Sequence, residues 1–182
     1  MTLRKIITLP DPFLRKKAKE VTKVTLEIKE LLNDMLETMY DANGIGLAAT
    51  QVRDNRRLIV MDCGKETGTK MEENKQDFIP NPMKMINPEL IFKSNDLIER
   101  EEGCLSIPGH QAKINRSKYI KVSYIDEFEN KKEIETDGLL ATCIQHEIDH
   151  LNGILFIDYL SRLKKETILR KVAKDHYRKK DV

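Results

Sequence analysis

Three side chains near the C-terminal end are of the types that do chemistry together. In "QHEIDHLNG", Gln145 to Gly153, His146 and His150 stand four residues apart, and Glu147 follows the first of them. On an α-helix, positions i and i+4 share one face about 6 Å apart along the axis, close enough for two imidazoles to share an ion. Glu147 would then act as a base toward a water on that ion. The competing explanation is a surface helix whose polar residues fall this way by chance, because the motif is short.

A catalytic ion of this kind commonly takes three protein ligands and keeps one position open. Cys143 shares the helix face but lies seven residues from His150, roughly 10.5 Å along the axis at ~1.5 Å per residue. Bonds of ~2.0–2.3 Å exclude it from the cluster. It is better placed lining the core or a pocket beside the metal. Downstream, Asp158, Glu166, Asp175 and His176 sit in no second motif. Upstream, "EEGCLS" puts Cys104 at the end of an expected strand, after a glycine that lets another backbone approach. A Cys-His-His set suits Zn2+ or Fe2+; on position alone Cys104 is equally readable as a plain buried cysteine.

"NGIGLAATQV", residues 43 to 52, contains a G-x-G-x-x-A spacing. A dinucleotide turn needs a strand before it, a helix after it and an acidic residue about 20 positions on. Here a helix precedes, a strand follows and Asp62 comes too early, so the glycines serve close approach of backbone or substrate instead. Gln51 offers a neutral amide donor for an oxyanion, or is an ordinary loop glutamine.

These residues need elements to position them. Apolar residues from Ile28 to Tyr40 recur at helical spacing, so a helix is expected over about 25–42, stopped at Asn43-Gly44. "RRLIVMD" (56–62) reads as a strand, and Cys63 to Met85 as a long, mobile inserted loop. "MINPELIFKS" and "LIEREEGCLSI" read as strands paired across Asn95-Asp96, and "YIKVSYID" with "KKEIET" as a second pair. A helix over about 137–151 and a basic helix at the end complete an α+β fold: antiparallel β-sheets packed around a central metal-binding helix, with N-terminal and C-terminal helices.

Composition narrows the class. At 182 residues with 40% apolar, the chain is expected to form one domain, 1–182, with an ordinary core. Three cysteines are too few and too scattered for a disulfide framework. No apolar run approaches the ~18 residues of a membrane span, and the N-terminus lacks the apolar stretch of a signal peptide, so the expected location is the cytosol, without membrane contact. Residues 161–182 carry nine Lys/Arg against three Asp/Glu, although the whole chain is only +2. Such a tail either binds an RNA-rich assembly through phosphates or docks by an apolar stripe of Leu163, Ile168, Leu169 and Val172.

Taken together, "GIGLAATQ", "EGCLS" and "QHEIDH", in this order, resemble the three motifs of the peptide deformylase family, over nearly the whole chain. The resemblance implies a metal-dependent hydrolase that removes the formyl group from the N-terminal formylmethionine of newly made proteins. It implies Cys104, His146 and His150 as ligands of one Fe2+, with Ni2+, Co2+ or Zn2+ as substitutes. A hydroxide on that ion would attack the formyl carbon, Glu147 would move the proton to the leaving amine, and the Gln51 amide and Leu105 N–H would hold the oxyanion. Glu102 and Arg116 would pair behind the cysteine strand. The peptide would lie extended near Ile45 and Gly46, opposite Gly103, its methionine in a pocket of Leu139, Cys143 and His146. Ribosome contact through 161–182 is compatible with this reading.

Three residues depart from the family pattern. Gln111 stands where an arginine or aromatic is common, and Arg100 and Thr142 where isoleucine is common, which predicts a more polar pocket rim. Two other classes remain as alternatives: a zinc metalloprotease cutting internal peptide bonds, and a non-catalytic, metal-stabilised module on the ribosome.

Overall fold

The computed structural model describes residues 2–65 and 79–178. Helix α1 spans Leu26–Asp41; Thr25 caps it by accepting from Ile28 N–H, and Asn43 behind it takes a positive φ of 53°. Strands β1 (Gly46–Ala48), β2 (Leu58–Met61), β3 (Met83–Lys93), β6 (Ile120–Ile125) and β7 (Lys131–Thr136) form an antiparallel sheet in the order β1-β2-β3-β6-β7. Strands β4 (Leu97–Gly103) and β5 (Gln111–Ser117) form a separate hairpin. Helix α2 spans Gly138–Leu151 and helix α3 Arg162–Arg178. The expected α+β class holds, with antiparallel sheets on either side of α2.

Burial explains the run "LIVM" in β2, where all four residues are buried. Leu58 and Val60 pack with Ile28, Leu32, Met35 and Met39 of α1, whereas Ile59 and Met61 pack with Ile144, Ile148 and Leu151 of α2. Side chains alternate across a strand, so only a sheet covered on both faces needs both sets apolar. A third core, containing Leu14, Ile107, Ile114 and Phe156, lies under the β4–β5 hairpin and receives Ile168, Leu169 and Val172 from α3.

Three expectations change. β3 does not pair with β4: it pairs with β6, and β4 pairs with β5. Asn95-Asp96 lacks the glycine of a tight hairpin turn. The polar groups of the segment turn outward, Ser94 N–H to Tyr119 O at 2.9 Å and Lys118 N–H to Asp96 O at 2.8 Å, which sends β4 to the far side of α2. Leu163 does not belong to the α3 stripe, being 71% exposed. Of the expected loop 63–85, residues 66–78 lie outside the described residues, and its last residues are already strand, since β3 begins at Met83. Among the described residues, no helix is long and apolar enough to cross a membrane.

Candidate active site

α2 is the element around which the site is built. It is buried on nearly every side, and its C-terminal end is closed by Gly153 at φ 74°, where a Cβ would come within 2.5 Å of the Arg15 carbonyl. A helix so enclosed must find a partner for every polar side chain it carries. Gln145 donates to Ser117 O at 2.9 Å and accepts from Ser117 N–H at 3.2 Å, which clips the end of β5 to the helix. Arg116, on β5, gives a two-pronged bond to Glu102 (2.7 and 2.9 Å) and a further bond to Asp149 of α2. Tyr159 donates to the same Asp149 oxygen at 2.8 Å, with its ring against the Arg116 guanidinium.

This scaffold sets the two histidines. Glu102 Oε2 is 2.8 Å from His146 Nδ1. Burial alone would raise the Glu102 carboxyl, but its bonds to Arg116 and His146 hold it down at about 2. An ionised carboxylate only accepts, so Nδ1 donates to it and Nε2 is the nitrogen left to face an ion. His150 Nε2 lies 3.1 Å from Cys104 Sγ, and burial, then the neighbouring His146, keeps its imidazole well below the usual range and hence neutral. The donor atoms of Cys104, His146 and His150 lie within 4.8 Å of one another, and their ring centroids are 4.9 Å apart at 70°. One soft sulfur and two imidazole nitrogens at this spacing fit a transition ion with ~2.0–2.3 Å bonds. His150 Nδ1 has no hydrogen-bond partner among the described residues.

Two of the downstream alternatives for the third ligand are engaged elsewhere, Asp175 is exposed, and the His176 side chain lies outside the described residues. Asp158 pairs with Arg15 and Lys165, and Glu166 with Arg162. Cys143 stays outside the cluster and lines the cavity, its thiol 3.6 Å from Ile45 O.

Glu147 is buried beside the cluster, and its Oε2 has no hydrogen-bond partner among the described residues. Burial first, with Glu102 and Asp149 adding and His146 and Arg116 opposing, pushes its carboxyl up to about 7. A carboxyl poised there can both take and return a proton near neutral pH. Gly46 makes the approach possible: a Cβ on it would lie 2.5 Å from Glu147 Oε1 and 2.7 Å from Cys143 Sγ. Gln51 is oriented by Ala48 N–H, which donates to its Oε1 at 2.8 Å. Its amide nitrogen therefore faces Ser106 Oγ at 3.1 Å and Cys104 Sγ at 3.6 Å. Leu105 N–H, beside the cysteine, has no acceptor among the described residues.

Gln51, Cys104, His146 and Glu147 line a cavity of about 690 Å³ together with Ile45, Gly46, Gly103, Leu139 and Cys143. Gln111 and Thr142 line it; Arg100 does not. The Thr142 hydroxyl donates to Gly138 O at 3.1 Å, so the rim is less polar than those departures predicted. Asp149 and Ser106 went unrecognised in the sequence; each is defined by a partner at least 33 residues away, and no local pattern marks it.

A family model for polypeptide deformylase matches residues 3–166. The chain belongs to the polypeptide deformylase family. A peptide deformylase of Rhodopseudomonas palustris (strain TIE-1) is 50% identical over 96% of this chain and 95% of its own length, and one of Bradyrhizobium sp. (strain BTAi1) is 51% identical over 96% of each. The crystal structure of the Ehrlichia chaffeensis enzyme in complex with actinonin superposes with a TM-score of 0.87 at 39% identity, covering 96% of this chain and 98% of that one. The Legionella pneumophila enzyme gives 0.83 at 42% identity over 98% of both. Deformylases are metal-dependent enzymes that remove the N-formyl group from newly made peptides, and this is the reaction of the chain. Membership decides against an internal-bond protease and against a non-catalytic module.

Proposed function

We propose that Cys104, His146 and His150 hold a single divalent ion, Fe2+ in the cell, replaceable by Ni2+, Co2+ or Zn2+, and that Glu147 is the catalytic acid–base. When bound, such an ion polarises the formyl carbonyl and activates water as the nucleophile. Glu147 takes a proton from the attacking water at its unpartnered oxygen and delivers it to the departing amine. The Gln51 amide and Leu105 N–H donate to the oxyanion that develops at the formyl oxygen. The peptide backbone lies between Ile45–Gly46 and Gly103, and the methionine side chain enters beside Leu139, Cys143 and His146. Glu102, backed by Arg116, keeps the His146 lone pair aimed at the ion. The whole chain, 1–182, acts as one catalytic domain in the cytosol.

The observation that carries this reading is the convergence of the Cys104, His146 and His150 donor atoms within 4.8 Å, beside a buried carboxylate oxygen with no partner among the described residues. The test is mass spectrometry of formyl-Met-Ala-Ser and acetyl-Met-Ala-Ser after incubation with anaerobically prepared, Fe2+- or Ni2+-loaded protein. Loss of the formyl group alone is expected, reduced ~10²–10⁴-fold by Glu147→Ala and ~10²–10³-fold by Gln51→Ala. Full activity in Glu147→Ala would remove that residue from the mechanism. The basic helix α3 adds a ribosome contact, supported by its excess of lysine and arginine; binding that did not weaken with added salt would refute it.

A further inference from the structure

Asp62 follows the last residue of β2, outside the metal cluster, and is 2% exposed. A buried carboxylate requires donors, and this one has three: Tyr40 Oη at 2.6 Å, Gly64 N–H at 2.9 Å and Asn81 N–H at 2.9 Å. Its own N–H donates to Ile45 O at 2.9 Å. Tyr40 lies in the last turn of α1, and Ile45 immediately precedes β1. The residue just after β2 therefore grips both ends of the turn between α1 and β1, the helix end through its side chain and the strand end through its backbone.

That turn is a wall of the cleft: Asn43, Gly44 and Ile45 all face the cavity. Its internal bonds, Asn43 N–H to Tyr40 O at 2.9 Å and Gly44 N–H to Met39 O at 2.8 Å, tie it to the helix and not to the sheet. It already abuts the opposite side, where a Cβ on Gly44 would lie 2.7 Å from Leu105 Cδ1. A small movement of α1 against β2 would thus change the gap into which a peptide backbone must fit.

We infer that Asp62 and Tyr40 are a positioning pair that sets the Ile45–Gly46 wall for the formylated peptide without touching it, an inference that rests on the deformylase reading. The bond joins one carboxylate and one phenol throughout the neutral range. Burial tends to raise the Asp62 carboxyl, but Tyr40 and the two backbone donors hold it below its usual range; burial, then Asp62, pushes Tyr40 up to about 12. Tyr40 is 39% exposed, so Tyr40→Phe removes the hydroxyl and leaves the packing. Asp62→Asn keeps an oxygen for Gly64 and Asn81, and Asp62→Ala keeps none.

The experiment measures kcat and KM for formyl-Met-Ala-Ser with the full, Ni2+-loaded chain. KM is expected to rise roughly 3- to 10-fold in Tyr40→Phe and at least as much in Asp62→Ala, with kcat within about 2-fold and metal content unchanged. Asp62→Asn should recover part of the loss. A lower melting temperature with KM unchanged would mean a purely structural bond, and a fall in kcat at constant KM would place the effect on chemistry; either overturns the inference. If Asp62→Ala does not fold, Tyr40→Phe decides. A wild-type protein that leaves the formyl group in place would instead sink the functional reading itself.

Discussion

Two helices of this chain carry many polar residues, and they use them in opposite ways. α2 has 14 residues, ten of them buried, and Gln145, His146, Asp149 and His150 each meet a named group on another element. α3 has 17 residues, touches the body through Ile168, Leu169 and Val172, and leaves Lys164, Lys171 and Lys174 in water. Inside the protein an unpaired charge is costly, so Asp149 is tied to a partner, and Glu147, whose Oε2 has none among the described residues, has its carboxyl pushed up to about 7 instead. Charges in water are screened and loosely placed, so those of α3 can attract a polyanion but cannot hold a reacting atom.

The contrast is broken most forcefully at Arg116, which holds Glu102 and Asp149 together behind the α2 histidines. Arg116→Leu leaves buried carboxylates without their counter-charge and should cost about 3–5 kcal/mol of stability in urea unfolding. Metal affinity, measured by chelator competition, should fall ~10–100-fold as His146 loses its fixed orientation. A stability loss under ~1 kcal/mol would erase the distinction between the two helices.

Asp158 lies between the two regimes. It accepts from Arg15 and Lys165 and from Leu155 N–H, and so anchors the start of α3. Burial tends to raise its carboxyl, but these partners hold it at about 2, below the usual 3.8. A depressed carboxyl stabilises the fold above its unfolded value, and that contribution disappears as pH falls through the folded value. Asp158→Asn should therefore melt below wild type at pH 6, with the gap closing between pH about 4 and 2. A gap independent of pH would show that charge is not what Asp158 contributes.

The smallest effect is expected on the exposed face. Lys164→Gln with Lys171→Gln should change stability by no more than ~0.5 kcal/mol and leave kcat/KM on short formyl peptides unchanged, while weakening binding to ribosomes at low salt. A loss of peptide turnover in this variant would give α3 a role inside the site.

Legibility in the sequence followed the range of the interactions. The i, i+4 pair of His146 and His150, the apolar spacing of α1 and the β6–β7 pairing are local, and the structure has all three. Resemblance of motifs decided between the readings left open for Cys104 and Gln51 and supplied Glu102 and Arg116, because three short stretches in fixed order carry more information than any one. The pairing of β3 with β4 was misread, since adjacency in the chain is a prior and Ser94 to Asp96 bond to residues 118 and 119 instead. Leu163 was placed in the α3 stripe on periodicity alone, and that stripe is narrower than the spacing implied.

By itself the sequence determined the donor types, their helical spacing and the apolar faces, since these depend on residues within a turn or two of one another. Only the tertiary structure decided that β4 crosses to the far side of α2 and brings Cys104 to His150, that Glu102 orients the His146 ring, and that Gly46 lets β1 approach Glu147. Those contacts join residues 44 to 101 positions apart. Their geometry comes from packing two sheets against one buried helix, whose polar groups could be enclosed only where partners from distant segments met them.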